Sequence, residues 1–313
     1  MSGPVSEPVL VLRALGLGDA LTGVPALRGL RRLYGDRPLL LAGKEPVSSW
    51  LCGLGLVDGV VPTDGLSGQA PGRSLGRHLA VNLHGRGPQS HLLLQSGSPD
   101  DLVAFDCAAA CHRSTSRWRA DEHEVDRWCR LVRDAGGPCS ADDLRLPATG
   151  ARDGAVVVHP GAASRARQWP PVRWVQVIQE LLAEGHHVVL TGSEQELCSR
   201  LATETGAENL GGRLSLDELA ERVGGASLVL CGDTGVSHLA TALGTRSVTL
   251  FGPTPPAWWG PAIDPELHTV LYRGNRPGDP HAIRPDEALL RLTVSEVLRA
   301  ARNHLSVRLS PGD

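Results

Sequence analysis

The turn at residues 232–235, which reads Gly-Asp-Thr-Gly, has the composition of a phosphate-binding loop. An apolar run at 228–231, typical of a buried parallel strand, precedes it, and a helical pattern at 237–243 follows it. The first N–H groups of a helix have no partner within the helix, and its N-terminus carries partial positive charge. Because α/β proteins bind phosphate where a glycine turn joins a strand to such a helix, this turn predicts a phosphate site.

A second segment with suitable chemistry is the loop that begins at His159. Its small residues at 160–164 allow a ligand to approach the backbone, and Arg165 and Arg167 follow them. Guanidinium groups bind phosphate oxygens through paired N–H donors. A solvated loop with exposed arginines is the alternative interpretation. For His238, in the helix after the 232–235 turn, a ligand contact and a purely structural role are the two alternatives.

Asp19 is the residue best suited to proton transfer. It follows a Gly-x-Gly turn, at the start of a helix expected over residues 20–34. One interpretation is a general base that faces a cleft between two halves of the protein, and the other is an N-cap. A dinucleotide site, and with it an oxidoreductase, is disfavoured. The third glycine of that motif is replaced by Leu21, and no acidic residue follows the strand expected at 39–41.

Metal-binding patterns are missing from the sequence. It contains no D-x-D triplet, no H-E-x-x-H motif and no C-x-x-C pair. Cys107, Cys111 and His112 lack a second pair of ligands, so free thiols are the expected state of the seven cysteines. A P-loop is also absent. The charge on a departing diphosphate would therefore have to be met by arginines, hydroxyls and helix dipoles.

Strand and helix patterns alternate along both halves of the chain, which predicts an α/β protein of two doubly wound domains. In the first half we expect strands at 8–12, 39–41, 59–61, 79–83 and 102–105, and helices at 20–34, 47–54 and 123–135. In the second half we expect strands at 155–159, 187–190, 228–231 and 247–251, and helices at 172–184, 196–204, 215–223, 237–243 and 293–305. Capping-box patterns open the helices at 215 and 293. A polar, glycine-containing segment at 147–154 predicts a boundary between domains 1–150 and 151–313.

Composition narrows the classes of function. Of the 313 residues 41% are hydrophobic and only 4% aromatic, so the cores must be aliphatic. A net charge of −3 without a polybasic segment argues against a general affinity for nucleic acid. The N-terminus does not resemble a signal peptide, and no apolar run reaches the ~20 residues of a membrane span. We therefore expect a soluble, cytoplasmic protein.

Three segments together resemble glycosyltransferase family 9, the heptosyltransferases of lipopolysaccharide core synthesis and their relatives. They are Gly-Asp-Ala-Leu-Thr-Gly-Val-Pro-Ala-Leu at 18–27, His-Pro-Gly-Ala with Arg-Gln-Trp-Pro at 159–170, and Gly-Asp-Thr-Gly-Val-Ser-His-Leu-Ala at 232–240 followed by Phe-Gly-Pro-Thr-Pro-Pro. The resemblance extends over about residues 8–300. It implies a GT-B fold, in which two Rossmann-like doubly wound domains face each other across a cleft. We also expect the C-terminal helix to cross back to the N-terminal domain.

The resemblance implies roles for individual residues. Asp19 resembles the family's catalytic base, and Arg167 stands where the family usually has a lysine that contacts the diphosphate. Glu194 resembles a residue close to the nucleotide ribose, and Leu214 would line the base pocket. The donor-binding residues implied by the same match are Ala162, Ser164, Arg165, Glu194, Leu214, Asp233, Thr234, Gly235 and His238. The acceptor-side residues are Gly18, Thr22, His84 and Arg86.

The function implied is an inverting transfer of a sugar from a nucleotide diphosphate sugar, without a metal or a cofactor. ADP-heptose is the expected donor. Residues 82–90 differ from the Lys-containing segment of the lipopolysaccharide enzymes, so the acceptor is left open among a glycan, a glycolipid and a small natural product. We expect a monomer without nucleic-acid partners and with a peripheral membrane contact. The alternative is a nucleotide-binding relative without transferase activity, in a regulatory or scaffold role.

Overall fold

The structure, a computed structural model, describes residues 7–147 and 153–306. The chain divides into two compact units, residues 1–144 and 145–313. The predicted boundary at residues 150 and 151 lies outside the described residues. Each unit is an α/β domain built on one parallel sheet, as the alternation of strand and helix patterns predicts.

The first unit alternates strands and helices from its N-terminus. Its strands are β1 (Val9–Leu12), β2 (Leu39–Gly43), β3 (Gly59–Pro62), β4 (Leu79–Asn82) and β5 (Asp101–Val103). Its helices are α1 (Leu17–Thr22), α2 (Val24–Tyr34), α3 (Val47–Gly53), α4 (Gln89–Gln95) and α5 (Glu124–Asp134), with 3-10 turns at Ala108–Ala110 and Ala141–Leu144. Helix α4 was not predicted, because two of its three buried positions are the polar residues Ser90 and His91.

The strands of the first sheet are all parallel, in the order β3-β2-β1-β4-β5. Val9 of β1 pairs with Leu39 on one side and with Leu79 of β4 on the other. The chain leaves β1 towards β2, so the strand order reverses between β1 and β4. Doubly wound sheets bind their ligands at the carboxyl ends of the strands at such a switch point. Asp19 follows β1, and His84 follows β4.

The helix predicted over residues 20–34 is in fact two helices. Helix α1 ends at Thr22 and α2 begins at Val24, with Gly23 between them. A Cβ on Gly23 would lie 2.6 Å from Cδ of Arg13, so only a glycine lets the chain approach this buried side chain. Pro25 then occupies the first turn of α2, where no intrahelical N–H donor is required.

The second unit repeats this architecture with six strands. They are β6 (Val156–His159), β7 (Val188–Leu190), β8 (Glu208–Asn209), β9 (Leu228–Gly232), β10 (Ser247–Phe251) and β11 (His268–Tyr272). The helices are α6 (Pro171–Ala183), α7 (Gln195–Thr205), α8 (Leu216–Gly225), α9 (Gly235–Leu243), α10 (Pro256–Trp259), α11 (Glu287–Leu290) and α12 (Val294–Ser306), with 3-10 turns at Arg165–Arg167 and Pro265–Leu267. Both predicted capping boxes are present: the hydroxyls of Ser215 and Thr293 each accept the N–H of the glutamate three residues later at 3.3 Å.

The second sheet is also entirely parallel, in the order β11-β10-β9-β6-β7-β8. This is the strand order of the dinucleotide-binding fold, and its switch point lies between β6 and β9. Strands β8 and β11 were not predicted. Both lie at the edges of the sheet, where neither shows the continuous apolar run of a buried strand.

The final helix packs on the second sheet. Val297, Leu298, Ala300 and Ala301 of α12 belong to the same hydrophobic core as Val248 and Leu250 of β10. We expected this helix to cross back to the N-terminal domain. The described part of α12 packs on the sheet of its own unit, and the crossing to the N-terminal domain stays a prediction.

Candidate functional site

The turn after β9 lies at the switch point of the second sheet and leads directly into α9. Thr234 is the N-cap residue of α9, with an extended backbone of φ −144° and ψ 173°. The N–H of Asp233 donates to the carbonyl of Leu250 at 3.2 Å, which fastens the turn to the end of β10. Ser237 donates its hydroxyl to the carbonyl of Thr234 at 2.7 Å. These two hydrogen bonds hold the predicted phosphate turn at the N-terminus of α9.

Arg167 reaches this turn from the loop that follows the neighbouring strand, β6. It is the last residue of the 3-10 turn after β6, and its Nη1 donates to the carbonyl of Asp233 at 3.1 Å. A Cβ on Gly232 would lie 3.2 Å from the carbonyl oxygen of Arg167, so the two loops approach closely because residue 232 has no side chain. Three of the predicted donor-side residues, Arg167, Asp233 and Thr234, thus meet at one junction.

Two polar atoms at this junction are buried and form no hydrogen bond with the part of the chain that the structure describes. They are Oγ1 of Thr234 and Nε of Arg167. Leaving a buried polar group without a partner costs roughly 1–3 kcal/mol. A hydroxyl and a guanidinium beside a helix N-terminus are the groups that bind phosphate oxygens. This arrangement can hold the diphosphate of a nucleotide.

An open cavity of about 540 Å³ borders the same 3-10 turn. Its lining residues are Ala163, Ser164, Arg165, His281, Ala282 and Ile283. Ser164 and Arg165 were predicted, but the wall at 281–283 was not. The carbonyl of Ala282 accepts the Ala166 N–H at 3.1 Å and the Ser164 hydroxyl at 3.3 Å, which fixes this wall in place. Sequence patterns could not reveal it, because Ser164 and Ala282 lie 118 positions apart.

Glu194 follows β7 and lies against the loop after β6. A Cβ on Gly161 would collide with its carboxylate, and its Oε2 accepts the Ser193 hydroxyl at 3.1 Å. Nearby, Nδ1 of His159 is 3.1 Å from Oγ1 of Thr191. Burial lowers the pKa of His159 to about 4, although Glu194 opposes this shift. The imidazole is therefore neutral at neutral pH.

The remaining predicted donor residues lie on the same carboxyl edge of the sheet. Ala162 is 5% exposed, and its carbonyl accepts Nε2 of Gln168 at 2.8 Å. Gly235 begins α9. Leu214 is half-buried directly before the N-cap of α8, whereas Arg165 is exposed. The loops after β6, β7, β8 and β9 thus all carry predicted residues.

His238 packs against an aromatic ring. It is 7% exposed in the first turn of α9, and its ring meets that of Trp259 at 5.7 Å between centroids and 66° between planes. This contact joins α9 to α10, so His238 has a structural role, as one of the two interpretations predicted. A contact of His238 with a ligand stays a prediction.

Asp19 lies in the first turn of α1, with Gly18 before it. The N-cap residue is Gly16, so the N-cap interpretation of Asp19 is wrong. The carbonyl of Asp19 accepts the Thr22 hydroxyl at 2.9 Å and also Nε of Arg13. Asp19 stays the candidate general base.

His84 follows β4 and contacts the loop after β1. Its Nδ1 accepts the N–H of Ala14 at 3.2 Å. Burial lowers the pKa of His84 to about 4, and the positive charges of Arg13 and Lys44 add to the shift. The ring is therefore neutral at neutral pH, with its proton on Nε2. Arg86, two residues further on, is exposed.

Arg13 was not predicted as a functional residue. It is the first residue after β1, and its side chain is only 3% exposed although it carries a charge. It donates to the carbonyls of both Asp19 and Leu83, and so connects the two loops of the first switch point. An arginine directly after a buried strand was the available signal in the sequence.

No group of three or more His, Cys, Asp or Glu side chains within residues 7–147 and 153–306 could hold a metal ion. All seven cysteines are free thiols. Among the helices that the structure describes, none has both the length and the apolar character needed to cross a bilayer.

Residues 112–278 match the family model described as "Glycosyltransferase family 9 (heptosyltransferase)". Over 111 residues the chain is 32% identical to lipopolysaccharide heptosyltransferase 2 of Escherichia coli (strain K12), a match that covers 33% of this chain and 32% of that protein. The chain therefore aligns with only about a third of the length of this curated relative.

Two solved structures resemble the whole fold. The glycosyl transferase family 9 protein from Veillonella parvula DSM 2008 has a TM-score of 0.80 at 17% identity, covering 98% of this chain and 100% of that one. The E. coli heptosyltransferase WaaC with ADP has a TM-score of 0.71 at 20% identity, covering 95% of this chain and 99% of that one. These likenesses confirm the predicted GT-B fold.

Proposed function

The chain belongs to glycosyltransferase family 9, and from this membership we propose that it transfers a heptose from ADP-heptose to a hydroxyl group of an acceptor. The observation that carries this proposal is the junction of Arg167 with the Asp233–Thr234 turn at the N-terminus of α9. It offers a guanidinium, a buried hydroxyl and helix N–H groups to one diphosphate.

The proposed donor lies along the carboxyl edge of the second sheet. Its diphosphate binds at the Arg167–Thr234 junction, its ribose lies near Glu194, and its base lies near Leu214. The half-buried leucine suits the apolar face of a purine. Adenine is the proposed base because an E. coli heptosyltransferase with the same fold was solved with ADP. The cavity beside Ser164 and Arg165 lies next to the diphosphate position and offers space for the sugar.

The proposed reaction is a direct displacement that inverts the anomeric centre. The Asp19 carboxylate accepts the proton of the acceptor hydroxyl, whose oxygen attacks the anomeric carbon. The bond between that carbon and the phosphate oxygen breaks, and its electron pair goes to the departing ADP. Arg167 and the α9 N-terminus stabilise the charge that develops on the diphosphate. A metal ion is not required in this scheme.

The acceptor is proposed to be a glycan, a glycolipid or a small molecule that meets Asp19, with Gly18, Thr22, His84 and Arg86 around it. We further propose that the protein acts as a cytoplasmic monomer, in peripheral contact with the membrane when the acceptor is a glycolipid. These assignments are carried over from the resemblance of the N-terminal segment to glycosyltransferase family 9.

A nucleotide screen tests the donor. Thermal unfolding is followed with ADP, UDP, GDP and NADH, then with the corresponding nucleotide sugars. A ligand that binds only the folded protein raises the unfolding temperature, so ADP should give a larger shift than the other nucleotides. Transfer is then assayed with ADP-heptose and candidate acceptors. Selectivity for UDP or GDP would overturn the proposed donor, whereas ADP binding without transfer to any acceptor would favour the non-catalytic alternative.

A further inference from the structure

Arg13 is a charged side chain inside the first unit. Its guanidinium donates through Nε to the carbonyl of Asp19 and through Nη1 to the carbonyl of Leu83. Its Nη2 donates to the hydroxyl of Thr22 at 2.8 Å and to Oε1 of Glu124 at 3.4 Å. One planar group thus holds α1, the end of β4 and α5 together. Lysine has a single nitrogen and cannot span these three directions at once.

The surroundings of Arg13 are built to keep it in one orientation. Its Cζ lies 4.9 Å from the centre of the Trp128 ring, so the guanidinium is stacked on an aromatic face. Glu124 is fixed in turn, because its Oε1 accepts Nε1 of Trp128 at 2.7 Å and its Oε2 pairs with Arg127. Burial lowers the pKa of Arg13, while the charges of Glu124 and Asp19 favour its protonated form. Gly23 leaves room for the side chain on the remaining side.

The contacts of Arg13 couple the two loops at the first switch point. The carbonyl of Asp19 accepts both Arg13 and the Thr22 hydroxyl, which itself accepts from Arg13. On the other loop, Leu83 accepts from Arg13, and the adjacent His84 accepts the N–H of Ala14. If the guanidinium moved, the main chain at Asp19 and the loop at residues 83–86, which contains His84, would therefore lose their hydrogen bonds to it together.

We propose that Arg13 is a positioning residue, which fixes the main chain under Asp19 relative to the His84 loop so that the carboxylate meets the acceptor hydroxyl. Its consequence for the rate rests on the proposed function, whereas its consequence for the loops does not. Positional errors of about 1 Å at a reacting group can lower a rate by roughly 100-fold, so the fixing of a carboxylate is chemically significant.

Two variants separate positioning from general stabilisation. Arg13→Lys retains a charge but loses the planar set of donors. Arg127→Lys is the matched control. Arg127 is also a buried arginine paired with Glu124, but its other hydrogen-bond acceptors are the carbonyls of Arg119, Ala120 and Glu122, and its guanidinium lies over the Trp118 ring. It touches neither Asp19 nor Leu83 in the hydrogen bonds of the described chain.

The first measurement is amide hydrogen exchange of the full-length protein. In Arg13→Lys, amide exchange should accelerate by roughly tenfold or more in peptides covering residues 14–23 and 83–86, because only these two loops lose hydrogen bonds to the guanidinium and open more often. Exchange in β2 and β3 should be unchanged. The Arg127→Lys variant should accelerate exchange around residues 119–124 instead. Unchanged exchange at 14–23 and 83–86 in Arg13→Lys, or a uniform increase across the unit, would overturn the proposal.

The second measurement is a kinetic double-mutant cycle on transfer. Arg13→Lys should lower kcat by roughly 30- to 100-fold without changing the affinity for ADP, because only the base is displaced. In an Asp19→Asn background the same substitution should have no further effect on the residual rate. Equal effects in both backgrounds would overturn the positioning role. If the wild-type protein transfers no sugar, the proposed function fails, and the exchange experiment still decides whether Arg13 fixes the two loops.

Discussion

Nη1 of Arg167 and the carbonyl oxygen of Asp233 are 3.1 Å apart, and this hydrogen bond joins the two loops at the switch point of the second sheet. The same guanidinium keeps its Nε buried without a hydrogen bond to the described residues. Arginine presents five N–H donors in one plane, so a bond to the main chain leaves others for a ligand. One cation can therefore both fix the phosphate turn and meet the charge of a diphosphate.

Arg167→Ala should weaken ADP binding by roughly 10- to 100-fold, because a hydrogen bond to a charged group contributes roughly 1.5–3 kcal/mol. Arg167→Lys should have a smaller effect, since the charge stays but the planar donors are lost. Isothermal titration calorimetry with ADP measures both. Arg200→Ala is the control, because Arg200 pairs with Glu204 on the surface of α7. Equal ADP affinity in Arg167→Ala and in the control would contradict the diphosphate contact.

Asp19→Asn should lower the rate of sugar transfer by roughly 10²- to 10⁴-fold, because the amide cannot accept the proton of the acceptor hydroxyl. Asp19→Ala should behave in the same way. ADP affinity should be unchanged, since the proposed donor contacts lie in the second unit. Initial rates with saturating donor measure the effect, and Asp36→Asn, on an exposed loop, serves as control. Transfer at the wild-type rate in Asp19→Asn would remove Asp19 from the mechanism.

Much of the fold could be predicted from the sequence. Buried parallel strands are continuous apolar runs, so β1, β6, β9 and β10 are visible as patterns, and alternation with amphipathic helices implies a parallel sheet. The close approach of Gly23 to the side chain of Arg13 could not be predicted, because it depends on the placement of a residue ten positions earlier. Strand β8 has two polar residues, and only its pairing with β7 makes it a strand.

The phosphate turn of the candidate site could be predicted from the sequence, whereas the role of Arg13 could not. The Asp233–Thr234 turn is marked by its own glycines and by the strand before it. Arg13 is identified only by its partners, because Glu124 is 111 positions away and no local pattern connects them. Local chemistry can thus be inferred from a sequence more readily than the contacts that hold it in place.

Gly161→Ala should weaken ADP binding by roughly tenfold, the loss of about one hydrogen bond, with little effect on stability. The new Cβ would collide with the Glu194 carboxylate, and a side-chain end can move aside without disturbing the backbone. Glu194 would then leave the proposed ribose position. ADP titration combined with thermal unfolding measures both effects. Gly53→Ala, where a Cβ meets no atom within 4 Å, is the control. Unchanged ADP affinity in Gly161→Ala would argue against the role of Glu194.

EDTA should not inhibit transfer, because Arg167, Thr234 and the α9 N-terminus are proposed to meet the charge on the departing ADP. Initial rates are measured on protein dialysed against EDTA, then after addition of Mg²⁺ or Mn²⁺. A change of less than about twofold is expected, whereas a metal that stabilises a leaving diphosphate would contribute several kcal/mol. Loss of activity with EDTA that either ion restores would contradict the metal-independent scheme.

His268 should make the stability of the second unit depend on pH. Its side chain is 8% exposed, and its Nδ1 lies 2.9 Å from the Ser247 hydroxyl. Burial lowers the pKa of His268 from 6.5 to about 4; the charge of Asp264 opposes this shift and His304 adds to it. Between about pH 4 and pH 6.5, His268 therefore binds a proton in the unfolded chain but not in the folded chain. The resulting stability is fully present above pH 6.5 and is lost as the pH falls from 6.5 towards 4.

His268→Gln keeps a hydrogen-bonding group beside Ser247 but cannot ionise. One proton taken up on unfolding gives a slope of at most about 1.4 kcal/mol per pH unit, and the substitution should remove this amount from the pH dependence. Amide exchange of β10 and β11 across this pH window measures the opening free energy of the second sheet. His281→Gln, which removes an exposed imidazole, is the control. An identical slope in wild type and His268→Gln would show that this histidine is protonated as readily in the folded protein as in the unfolded chain.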